Sequence, residues 1–122
     1  MLKNDFYKYA LNESTDSQSI EAQVQLDLQH PIFQGHFPGQ PVLPGACQVH
    51  IIKEILTDYF QQPLKLKHAR EIKFISMLDL EQEDTFSLSI SYDMPQQEQI
   101  QIKALLYHQG DQKLTKIRAT FE

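Results

Sequence analysis

His30-Pro31-Ile32-Phe33-Gln34-Gly35-His36-Phe37-Pro38-Gly39-Gln40-Pro41-Val42-Leu43-Pro44-Gly45 runs directly into Ala46-Cys47-Gln48-Val49-His50-Ile51-Ile52-Lys53-Glu54. Of the chain's four glycines, six prolines and five histidines, most fall in this stretch. Proline at 31, 38, 41 and 44 restricts the backbone repeatedly, and glycine at 35, 39 and 45 permits close approach or positive φ. A stiff, turn-rich loop therefore presents His36 and then opens, at Pro44-Gly45, the only long helical pattern in the chain. That helix is expected to reach about Phe60, with Val49, Ile52, Leu56 and Tyr59 or Phe60 on one stripe. Ile51 and Ile55 widen the stripe, so the helix wants burial on most sides.

Outward from the helix, both flanks read as strands. Ile20, Ala22, Val24, Leu26 and Leu28 alternate with polar residues, the period-two mark of a strand with one buried face, and His30-Pro31 ends it. A short strand over Phe6 to Leu11 precedes it, separated by turn-forming residues. After the helix, strands are expected at Leu64 to Lys67 or further, and at about Glu71 to Met77. Three more follow on Phe86/Leu88/Ile90/Tyr92, Ile100/Ile102/Ala104 and Thr115/Ile117/Ala119/Phe121. Turns are expected at Asp93-Met94-Pro95 and Gln109-Gly110-Asp111. The order β-β-loop-α-β-β-β-β predicts an α+β fold: an antiparallel sheet, largely of meanders, covered by one helix.

Composition agrees with one globular domain spanning residues 1–122. Apolar residues make up 41% of the chain, near the globular average. A formal net charge of -5 argues against a nucleic-acid-binding surface. A single cysteine, Cys47, precludes an intramolecular disulfide and points to the reducing cytoplasm. No signal-peptide core or membrane span is apparent, so a soluble, unprocessed protein is expected.

The chemistry resides in the loop and the helix start. His36 stands among glycines and prolines rather than on a periodic core face, so packing is a weak reason for its presence; the alternative is a stiff connector with no chemistry. A neutral imidazole there suits a general base. Gly45 sits where unpaired N–H groups and the positive end of the helix dipole can hold an oxyanion. Base and oxyanion donor together suit removal of a thioester α-proton, while elimination also needs an acid for the departing hydroxyl.

Gly35-His36-Phe37-Pro38-Gly39-Gln40-Pro41-Val42-Leu43-Pro44-Gly45 closely resembles the signature of the 3-hydroxyacyl-ACP dehydratases of fatty-acid synthesis, members of the hotdog-fold superfamily. The resemblance implies a curved antiparallel sheet wrapped round one central helix, and an edge-to-edge homodimer with an acyl tunnel at the interface. It implies no metal or redox cofactor. By the same resemblance His36 is the base, Gly45 donates its N–H to the thioester carbonyl, and a carboxylate five residues after that glycine, from the other chain, is the acid.

Here residue 50 is histidine. His50 either donates the proton as an imidazolium, orients water or substrate, or is a polar group satisfied within the helix. Glu54, one turn on, either pairs with His50 or is plain solvated charge. The changed acid position suggests a specialised pathway such as polyene or other lipid synthesis. A thioesterase, or an acyl- or carrier-binding module without turnover, are the rival functions.

Other residues have two readings each. Phe33, Phe37, Pro44 and Phe74 line an acyl channel or belong to ordinary core. Lys65, Lys67, Arg70 and Lys73, with His68, form a basic run that either docks an acidic acyl carrier protein or protects a sheet edge. Cys47, in the first helical turn, is a reactive thiol or a packed small residue. His68 and His108 are expected at the surface.

Overall fold

The computed structural model describes residues 7–12, 18–27, 45–76, 84–96, 99–108 and 112–122. Among these residues six strands and one helix run in the order β1 (Tyr7–Asn12), β2 (Ser19–Leu26), α1 (Gly45–Phe60), β3 (Leu66–Phe74), β4 (Thr85–Gln96), β5 (Gln99–His108) and β6 (Gln112–Phe121). The strands form one antiparallel sheet in the order β1-β2-β4-β5-β6-β3. Only β4-β5-β6 is a true meander. After β2 the chain leaves the sheet to form α1, returns as β3 on the far edge, and comes back to lay β4 beside β2.

Alternation fixes which face is buried. Ile20, Ala22, Val24 and Leu26 of β2 are each no more than 3% exposed, and the register sets Ile20, Ala22 and Val24 opposite Ile90, Leu88 and Phe86 of β4. Ile100, Ile102, Ala104 and Leu106 continue this layer on β5, and Ile117, Ala119 and Phe121 on β6. Helix α1 joins the same core through Ile51, Ile52, Ile55 and Leu56, all at most 1% exposed. Val49 and Phe60 pack at its margin, while Tyr59 is largely exposed.

The helix ends on a left-handed residue, Gln61, with φ of 54°. The Gln62 N–H donates back to the Thr57 carbonyl at 3.3 Å. This is the C-terminal cap usually made with glycine, and Pro63 follows it.

Two details of the strand pattern differ from expectation. The segments expected at Leu64–Lys67 and Glu71–Met77 are one strand, β3, paired along β6 with register shifts at Leu66/His68 and Ala69/Glu71. The extra residues at those irregularities break the two-residue period, and all nine strand residues are exposed at the sheet edge, so neither signal survives in the sequence. Asp93-Met94-Pro95 is not a turn: β4 continues through it to pair Gln96 with Gln99, and the register shifts between Asp93 and Gln96. An irregularity of this kind is where a strand tolerates proline. The expected strand residues Phe6, Leu28 and Met77, and the turn at residues 109–111, lie outside the described residues.

Candidate active site

Gly45 is the first residue of α1, so its N–H belongs to the four that no carbonyl within the helix can satisfy. A Cβ at this position would lie 2.7 Å from Cζ of Phe74. The Phe74 ring, 60% exposed at the end of β3, thus rests against the helix start at a distance only glycine allows. Two residues singled out from sequence are thereby brought together. His36, Phe33, Phe37 and Pro44 lie outside the described residues.

His50 projects from the second turn of α1, about 7.5 Å along the axis from Gly45 and about 140° round it. His50 is partly exposed (38% of its side chain), with Nε2 3.8 Å from Oε1 of Glu54, whose side chain is only 5% exposed. Solvated charge does not describe Glu54, whose carboxylate is buried within 3.8 Å of the imidazole.

The burial of Glu54 is explained from β1. The Tyr7 hydroxyl donates to Glu54 Oε1 at 3.0 Å, and the Tyr9 hydroxyl donates to Asp58 Oδ2 at 2.7 Å. Residues two apart on a strand are about 6.7 Å apart and residues four apart on a helix about 6 Å, so Tyr-x-Tyr and Glu-x-x-x-Asp mesh as two rungs. Burial, together with the carboxylate beside each ring, pushes both phenols above their ordinary range. The sequence signal for this arrangement is the tyrosine pair at 7 and 9 set against carboxylates at 54 and 58. Neither half has meaning until the fold joins them.

Cys47 is buried and free, and burial raises its thiol rather than activating it. It is a packed small residue. His68 is exposed, whereas His108 is half-buried at the end of β5.

Lys65, Lys67, Arg70 and Lys73 are all exposed along the β3 edge. Backbone bonds tie Lys65 to Glu122 in both directions, and Lys67 Nζ lies 3.8 Å from Glu122 Oε2. Arg70 helps line a hollow of about 390 Å³ with Lys103 and Arg118, which are directly opposed across β5 and β6. Sequence reading missed those two cations because each occupies an ordinary outward strand position.

A curved six-stranded antiparallel sheet around a single helix defines the hotdog class, and similar solved structures share it. One is the dehydratase heterocomplex ApeI:P from Xenorhabdus doucetiae, at 22% identity and TM-score 0.70 over 93% of this chain and 97% of that one. The PaaI protein of E. coli, from the phenylacetic acid degradation operon, matches at 11% identity and TM-score 0.68, covering 93% and 82%. A mutant thioesterase from Pseudomonas aeruginosa matches at 11% identity and TM-score 0.65, covering 94% and 78%. At these identities the likeness establishes the fold. No curated protein matches the chain.

The chain belongs to the ApeI-like family, described as ApeI dehydratase, whose model matches residues 12–115. That span includes the whole of the His36-to-His50 segment.

Proposed function

We propose that the protein eliminates water from a 3-hydroxyacyl thioester carried on an acyl carrier protein, yielding the trans-2-enoyl thioester for fatty-acid, polyene or related lipid synthesis. The observation that carries this reading is membership of a dehydratase family over residues 12–115, the motif included. In the reaction His36 takes the α-proton, and the electron pair of that C–H bond forms the new double bond. The Gly45 N–H steadies the charge that builds on the carbonyl oxygen. His50 gives a proton to the departing 3-hydroxyl, which leaves as water. Phe33, Phe37, Pro44 and Phe74 line the acyl channel.

His50 acts in the site of a second copy of the chain. The 140° between Gly45 and His50 on one helix supports this arrangement, and so does the apolar edge available for pairing. Leu66, Ile72, Phe74 and Ile75 along β3 are each at least 40% exposed, and among the described residues β3 pairs only with β6, which leaves its outer edge as a template for another strand. The cations Lys65, Lys67, Arg70 and Lys73 along that edge suit an acidic carrier. The free Cys47 fits a cytoplasmic setting.

Thioester hydrolysis is the weaker alternative, although a thioesterase shares the fold. Hotdog thioesterases usually rely on a carboxylate to activate water. The one in reach on this helix, Glu54, is buried and engaged by Tyr7. Product analysis with purified protein and 3-hydroxyacyl carrier protein distinguishes the readings. Loss of water from the acyl group, abolished by His36→Ala, is expected; release of free carrier thiol, or binding without turnover, overturns the proposal.

A further inference from the structure

We infer that Glu54 is a positioning residue for His50: anchored by the Tyr7 hydroxyl, its carboxylate holds the imidazole by the Nε2 edge and leaves Nδ1 as the atom that exchanges a proton with substrate. This rests on the role proposed above for His50 and names the atom through which it works.

The first ground is burial. Glu54 is 4% exposed, on a helix whose neighbouring Ile51, Ile52, Ile55 and Leu56 are at most 1% exposed. A carboxylate survives in such surroundings only where donors face it. Tyr7 supplies one, and because its ring is itself 1% exposed and fixed in the core, it sets the direction of the carboxylate. His50 Nε2 lies 3.8 Å from the same Oε1, within ion-pair separation.

The second ground is the comparison one turn further on. Asp58 is held by Tyr9 in the same manner, so the tyrosine rung alone suffices to fasten β1 to the helix. At Glu54 the rung is extended by an imidazole that is part inside and part outside. An ionised carboxylate only accepts hydrogen bonds, so the ring nitrogen facing it carries the proton. As the acid, His50 gives up its Nδ1 proton to the hydroxyl and remains as the neutral Nε2–H form that Glu54 already holds. A dyad of this kind fixes tautomer and orientation together.

The test is a spectroscopic signature in the purified full chain with ring-¹⁵N-labelled histidine, His50 being assigned by comparison with His50→Asn. A hydrogen-bonded Nε2 proton protected from solvent exchange is expected for His50 in the unmodified protein, and it should vanish in the packed double variant Tyr7→Phe/Glu54→Met, which removes the acceptor. If the unmodified protein shows no protected Nε2 proton, or the proton persists in the double variant, the inference is overturned. Turnover of the 3-hydroxyacyl thioester reports separately. A fall of about 10-fold or more in kcat, with KM within about twofold, is expected in Glu54→Gln. A lost ring proton with unchanged kcat upholds the positioning by Glu54 and overturns the role of His50 in the elimination.

Discussion

Removing a single oxygen from Tyr7 tests how the helix carries a buried carboxylate. Tyr7 is 1% exposed and its hydroxyl donates to Glu54 at 3.0 Å, so Tyr7→Phe removes a buried donor from the carboxylate. Hydrogen bonds to charged groups contribute about 1.5–3 kcal/mol, so Tyr7→Phe is expected to cost about 2–3 kcal/mol. With about 2.1 cal/mol/K of unfolding entropy per residue over 122 residues, this lowers Tm by roughly 8–12 °C. Adding Glu54→Met removes the carboxylate along with its lost donor, and replacing both partners of a hydrogen bond by apolar groups is close to neutral. The double variant is therefore more stable than Tyr7→Phe alone, by about 1.5–3 kcal/mol. Urea denaturation of all four corners of the cycle measures this directly. A Tyr7→Phe loss below about 0.5 kcal/mol, or strictly additive effects, refutes the picture of a carboxylate held by this hydroxyl.

Tyr7 also sets an alkaline limit. Its phenol is raised by burial and by Glu54, so above a pH of about 10 the unfolded chain releases a proton that the folded protein keeps, and stability falls by about 1.4 kcal/mol per pH unit. Below that pH the contribution is fully present; denaturation series across this range should show a shallower fall in Tyr7→Phe. At the helix end, Gln61 occupies the left-handed cap at φ 54°, and Gln61→Gly is expected to raise stability by about 0.5–1 kcal/mol in thermal or urea unfolding. Ile72, 40% exposed on the unpaired edge, is proposed to face a second copy; Ile72→Lys should shift the protein from dimer to monomer in sedimentation or light scattering while the far-ultraviolet spectrum stays unchanged.

Much of the fold was legible because burial and period coincide. On β2, Ile20 to Leu26 alternate and every apolar member is buried; of the apolar stripe expected on α1, Ile52 and Leu56 enter the core with Ile51 and Ile55, while Val49 and Phe60 stay at its margin and Tyr59 is exposed. Legibility failed where local pattern and tertiary setting diverge. Irregular pairing divided β3 into two apparent strands, and Pro95 marked a strand irregularity rather than a turn. Glu54 shows the same limit in the site: its i, i+4 spacing to His50 was visible, but its burial depends on Tyr7, 47 residues earlier in the chain. Cys47 shows the converse, since its place in the first helical turn suggested activation while burial pushes its thiol up and disfavours the charged form.

The reverse reaction in heavy water is the most direct test of the central claim, that this helix and its preceding loop carry out elimination through an imidazole base. When the protein hydrates a trans-2-enoyl carrier thioester in D₂O, the proton delivered to Cα passes through His36, so the 3-hydroxyacyl product should carry one deuterium at that carbon. In His36→Ala neither hydration nor deuterium is expected. Free carrier thiol without deuterium, or deuterium that persists in His36→Ala, contradicts the account.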